Sequence, residues 1–288
     1  MEKSSHKWCQ GGVPYIKAIV LGGLIGLGPL MTGAGNAAPA SKPINLAPHK
    51  AVYAMKIGHV RSGGNITGAK GTMVMEWARS CSGWTMVQRV QLVLFDNEGN
   101  RIATESNFSS FETLDGLKYR FTSRNSRDGT VTDDLEGKAK LARKGGKGHA
   151  DFSRPKGMRF DLSRKTIFPT VHVIDLIRAA RQGKKWLNRV IFDGANSDGP
   201  LEVNAMIFAP IKTPPKKWAK RRLTNRPSWH MRLAFFPTKS AKSTPDYELG
   251  LRLFDNGVAD GFELDYGSFS VNASLEKITA LKRPKCDS

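Results

Sequence analysis

From Leu46 onward apolar and polar residues alternate, and Gly, Asn, Asp and Ser break the alternation every 8 to 14 positions. Successive side chains of a strand point to opposite faces, so a period of two specifies strands with one buried and one wet side. The alternation predicts strands over 51–57, 71–77, 84–95, 102–112, 118–127, 131–141, a shorter segment ending near Pro155, 185–192, 201–211, 229–236, 247–255, 258–266 and 269–281. Between them stand turn signals such as Asp96-Asn97-Glu98-Gly99-Asn100, Asp128-Gly129 and Asp255-Asn256-Gly257. The period lengthens once, over 170–182, where Val171, Ile174, Leu176 and Ile177 fall at helical spacing before Gly183. About a dozen strands and one helix predict a mainly β chain. An antiparallel sheet that wide must curl or split. The expected fold is therefore a long sheet curled into a barrel-like single domain, residues 39–288, around the helix.

The N-terminus carries a different signal. Lys3, Lys7 and Lys17 precede the apolar run 18–31, and small residues Gly35, Ala37 and Ala38 follow it. A basic start, a short apolar middle and a small-residue end make a secretory signal peptide over 1–38, with cleavage near Ala37/Ala38. An uncleaved anchor helix is the alternative, but its apolar core of about 14 residues is short of the ~20 that cross a bilayer. The expected location is the periplasm, with the mature chain soluble.

Cleavage removes Cys9 and leaves Cys81 and Cys286. Two cysteines in an oxidising compartment pair, joining an early part of the mature chain to its end; two separate thiols are the alternative. A bridge between the ends also requires the last strand to return beside the first ones.

Residues with catalytic chemistry do not converge. The histidines at 49, 59, 149, 172 and 230 form neither an HExxH pattern nor a Cys/His cluster, so neither metal nor cofactor is expected. Ala195-Asn196-Ser197-Asp198-Gly199 lacks the first Gly of a nucleophile elbow and sits among turn residues. His172, in Phe168-Pro169-Thr170-Val171-His172, reads either as a pocket residue or as one that fixes the strand-to-helix corner. An enzyme is not indicated.

Charge is the remaining feature. Lys and Arg number 45 against 25 Asp and Glu; the signal segment takes three Lys and one Glu, leaving 42 against 24, or +18. Lys212, Lys216, Lys217, Lys220, Arg221, Arg222 and Arg226 crowd one stretch near Trp218 and Trp229. Export makes nucleic acid an unexpected partner. An anionic envelope surface is the electrostatic alternative, at about 1 kcal/mol per basic residue close to such a surface, and a solvated loop that keeps the protein soluble is the other.

Several segments together resemble the EipB family of cell-envelope integrity proteins of alphaproteobacteria. They are Leu46-Ala47-Pro48-His49-Lys50-Ala51-Val52-Tyr53, the 71–77 strand with Cys81 and Gly83-Trp84-Thr85, the Phe168–His172 motif, the helix end Ala179-Ala180-Arg181-Gln182-Gly183-Lys184, and the second Cys near the C-terminus. The likeness spans 46–286. It implies a β-spiral wound around a helix, similar to periplasmic carriers of lipoproteins and lipids, with Cys81 bridged to Cys286. It also implies maintenance of the envelope against stress, no established enzymatic activity, and a periplasmic tetratricopeptide-repeat protein as partner. The basic stretch 212–226 departs from the family pattern. Two roles follow as expectations. In one, the concave face of the sheet binds an acyl chain or an extended peptide. In the other, the protein is a scaffold that meets a partner through its surface, at edge strands and near Trp218 and Trp229.

Overall fold

A computed structural model describes residues 43–211, 217, 221–238 and 243–286. The expected signal segment with its cleavage point, Lys212, Lys216, Lys220 and Trp218 lie outside the described residues. The strands are β1 (His49–Val60), β2 (Ile66–Arg79), β3 (Gly83–Asp96), β4 (Arg101–Thr113), β5 (Lys118–Arg127), β6 (Thr130–Leu141), β7 (Gly148–Arg154), β8 (Arg159–Leu162) and β9 (Thr166–Ile167). After the helix α1 (Pro169–Arg181) come β10 (Trp186–Ile191), β11 (Leu201–Ile211), β12 (Ser228–Pro237), β13 (Tyr247–Phe254), β14 (Ala259–Asp265) and β15 (Phe269–Ala280).

These 15 strands form one sheet, in the order β8-β7-β6-β5-β4-β3-β2-β1-β15-β14-β13-β12-β11-β10-β9. Every neighbouring pair is a local hairpin except two. β1 pairs with β15 antiparallel, His49 opposite Ala280, which brings the chain's end back to its beginning as a bridge to Cys286 requires. β9 pairs with β10 in parallel, Thr166 opposite Val190. Parallel neighbours need a crossover, and α1 is that crossover.

The two edges of the sheet are β8 and β9, which are separated in sequence by only residues 163–165. A link that short reaches at most about 14 Å, so the curl brings the sheet round until its edges nearly meet, in a barrel-like form. These two strands are the ones the alternation missed, because four and two residues are too few to display a period. Elsewhere the alternation is obeyed: β5 reads exposed, buried, exposed, buried through its first eight residues.

Helix α1 begins at Pro169 and ends at Arg181, each one residue before the expected boundary. Gly183 has φ +70°; its N–H donates to the Ala180 carbonyl and that of Lys184 to Ala179. This is a Schellman stop, which needs a residue that tolerates the left-handed region. Val173, Leu176, Ile177 and Ala180 pack into the larger of two apolar clusters, among strands β1–β3 and β11–β15.

The second cluster is aromatic: Tyr119, Phe121, Phe152, Phe160, Phe168 and Phe192, joined mostly through stacked and edge-on ring contacts. The loop after β10 plugs this end. Gly194 has φ +67°, and a Cβ there would stand 2.3 Å from the Phe121 ring. Gly194→Ala therefore combines backbone strain with overpacking and costs about 2 kcal/mol. Chemical denaturation reads this loss, and an unchanged midpoint would show that the plug contributes nothing. The stretch 195–199 is accordingly part of this plug, with Ala195 and Gly199 buried against the aromatic cluster.

Candidate functional site

Among the described residues a narrow apolar slot lies beside the start of the helix. Its wall on one side is the inward face of β2 (Met73, Met75, Trp77) and of β3 (Trp84, Met86). The register sets Trp77 opposite Met86 and Arg79 opposite Trp84, so the two indoles fall on one face, with ring centroids 5.6 Å apart. The opposite wall comes from Leu251 and Leu253 of β13 and Phe262 of β14, and the helix start, Pro169 to Val173, closes one end. The cavity volume is about 60 Å³, counted as room for the centre of a water-sized sphere. That is a slot for a chain, not a chamber for a folded ligand. Three methionines give it walls that adapt, since thioether side chains repack easily. Its polar side chains are few: Gln88, Ser110, Thr170 and Tyr119, whose hydroxyl donates to the Asp193 carbonyl at 2.9 Å.

Beside the slot lies a buried acid. Glu112 of β4 is 2% exposed. Its carboxylate oxygens accept the Thr170 N–H at 2.6 Å and the Val171 N–H at 3.1 Å. No acidic residue stands in the first turn of α1, and Phe168 at its N-cap makes no side-chain bond. Glu112, 58 residues upstream in sequence, therefore does the work a local cap usually does. Burial pushes its carboxyl up to about 7 despite the two backbone donors and the Thr170 hydroxyl, all of which pull the other way. Sequence reasoning missed Glu112 because nothing local marks an acid that caps a distant helix.

Cys81, in the turn between β2 and β3, is bridged to Cys286 beyond β15, with the Cα atoms 5.6 Å apart. His172, read as either a pocket or a corner residue, lies in the first turn of α1, and neither ring nitrogen has a hydrogen-bond partner among the described residues. It is wholly buried, does not line the slot, and burial holds its imidazole well below the usual range, with Arg189 adding to the effect. Among the described residues no group of three or more His, Cys, Asp or Glu converges on a point that could hold a metal.

Of the basic stretch, Lys217 stands 4.0 Å from Glu276, and Arg226 pairs with Asp255, which also takes Arg181. Arg221 and Arg222 are exposed. The segment that follows them is tied down: Thr224 is buried and the Asn256 amide donates to the Leu223 carbonyl. Trp229, expected near a contact surface, is instead in the core at 5% exposure, because it falls on the inward phase of β12. Among the described residues the exposed aromatics are Trp186 at 63% and Phe208 at 49%. Trp186 sits opposite Met206, two residues from Phe208 on the same strand.

Comparison with known proteins places this architecture. A crystal structure described as a beta-barrel-like protein of domain of unknown function DUF1849, from Brucella abortus, is similar with a TM-score of 0.76 and 26% identity, over 83% of this chain and all of that one. The cell envelope integrity protein EipB of Brucella abortus (strain 2308) is 29% identical over 254 residues, 86% of this chain and 89% of that protein. The EipB-like family model matches residues 40–282, the whole curled sheet with its helix and slot, and the chain belongs to the EipB-like family.

Proposed function

We propose that this chain is a non-enzymatic periplasmic protein that maintains the cell envelope, and that it does so by holding an acyl chain in the methionine and tryptophan slot. The relative named for cell envelope integrity supports the first half. The observation that carries the second is the slot itself: a narrow, apolar, adaptable cleft with a tryptophan pair at its wall. A single alkyl chain is thin enough to enter such a cleft, and each buried methylene contributes about 0.8 kcal/mol.

Native mass spectrometry of the protein taken from its own periplasm tests this, followed by titration of delipidated protein with palmitate. A retained lipid, and a change in tryptophan emission on titration, are expected. Met86→Trp, at the half-buried part of the wall, fills the slot and weakens palmitate binding about tenfold if two methylenes are excluded. Bare polypeptide throughout, with emission indifferent to palmitate, overturns the reading. Mature protein beginning just after Ala37 or Ala38 is the expected mass.

A second reading, that of a scaffold for a periplasmic tetratricopeptide-repeat protein, is favoured by the outward-facing pair Trp186 and Phe208, since aromatic residues are enriched at interfaces. Here the basic stretch with Arg221 and Arg222 supplies a contact with an anionic envelope surface. Crosslinking in cells separates the two readings, because only the scaffold yields a protein adduct that survives delipidation.

A further inference from the structure

The outer face of β4–β7 carries a cationic grid that neither the slot nor the bridge explains. Lys118 of β5 is directly opposite Lys140 of β6, and Arg120 is directly opposite Lys138. All four are exposed, and none is within ion-pair distance of a carboxylate among the described residues. Like charges directly opposite on neighbouring strands repel, so the sheet here holds two unfavourable contacts side by side.

Three of the acids near the grid are already engaged, while Asp161 of β8, opposite His149, is exposed. Asp151 receives Arg159 at 2.6 Å and His149 at 3.3 Å, and Glu136 receives Arg154 at 2.9 Å. Asp115, whose charge Lys118 feels, is taken by the Thr113 hydroxyl and the Leu117 N–H. Arg120 lies 5.0 Å above the Phe111 ring, which fixes the guanidinium over the sheet. The face is also concave: these residues border a groove of about 620 Å³.

The geometry points to a binding site for a discrete ligand carrying two phosphate groups. Opposite cations on adjacent strands are about 5 Å apart at their roots, and the two rows are about 7 Å apart along the strands. A phosphate held by a charge-assisted bond on either side needs about 5 Å between the two donors. Each row therefore suits one phosphate, and the grid suits two, some 6–7 Å from one another. A flat bilayer does not enter a concave groove, so the occupant is a separate molecule or a projecting headgroup and not a membrane plane. Arg120, with its fork of donors, orients one of the phosphates.

Calorimetric titration with inorganic tripolyphosphate at low ionic strength is the test. The expected result is saturable one-to-one binding. Arg120→Gln, Lys138→Gln, Lys118→Gln and Lys140→Gln should each weaken it about tenfold through loss of one charge-assisted bond. Lys277→Gln, an exposed cation on β15, should change it less than twofold. Absence of saturable binding overturns the inference, as does an equal loss from Lys277→Gln, which would mean attraction to net charge alone. Binding to vesicles of phosphatidylglycerol without binding to tripolyphosphate also overturns it. Because palmitate binding is read separately, failure of the grid and failure of the slot are distinguishable.

Discussion

Substituting Cys81 or Cys286 by Ser lowers the melting temperature of the oxidised protein by on the order of 10 °C. The bridge spans 205 residues of sequence. In the chain-entropy account, closing a loop of that size in the unfolded ensemble contributes about 5 kcal/mol, an upper figure because native strain and residual structure subtract from it. The folded state gains less. β15 already pairs with β1, and β1 with β2, so hydrogen bonds hold the tail near Cys81 without the sulfurs. Calorimetry of wild type in reductant should match that of either variant, and reductant should leave the variants unmoved. Equal melting of wild type and variants under oxidising conditions would refute a stabilising bridge.

Removing the side chain of Glu112 is expected to be nearly as costly. Glu112→Ala leaves one buried and one half-buried N–H group of α1 without acceptors and opens a void, at about 4 kcal/mol in urea unfolding at pH 5. The cost depends on pH in a direction fixed by the shift. The carboxyl sits near 4.5 in the unfolded chain and is raised to about 7 in the folded one. Over that interval the folded state holds the proton more tightly, so stability from this group is complete below about pH 4.5. It is lost as pH rises towards 7, by about 3 kcal/mol. Glu112→Gln keeps an acceptor and cannot titrate, so the wild type should lose stability relative to it across the same window. Parallel curves for the two proteins between pH 4.5 and 7 would show that the carboxyl titrates normally. Pro169 and Thr170 also line the slot, so this cap and the slot share one end of the helix.

The sequence is informative wherever the controlling contact is local. The alternation in β5 or β11 follows from which face is wet, and that is written in every second residue. The end of α1 at Gly183 follows from the left-handed backbone that a helix stop requires. The pairing of Cys81 with Cys286 is what the sequence leads one to expect if residues 1–38 are removed, since two cysteines then remain. Trp229 shows the limit. Its place beside a basic stretch predicts a surface position, yet the phase of β12 turns it inward.

The remaining features depend on partners far away in sequence. Strands β8 and β9 are too short to carry a period, and they exist because the curl of the other strands offers each an edge to join. Glu112 meets the helix start because β4 and the crossover from β9 to β10 arrive at the same place. The tryptophan pair becomes the wall of a slot only when β13 and β14 close over it. The chain's pattern thus determined the longer elements and their faces. Tertiary structure decided where the sheet begins and ends, which acid caps the helix and where space is left. Periodicity encodes solvent contact one residue at a time, whereas closure, capping and cavities depend on which distant surfaces meet.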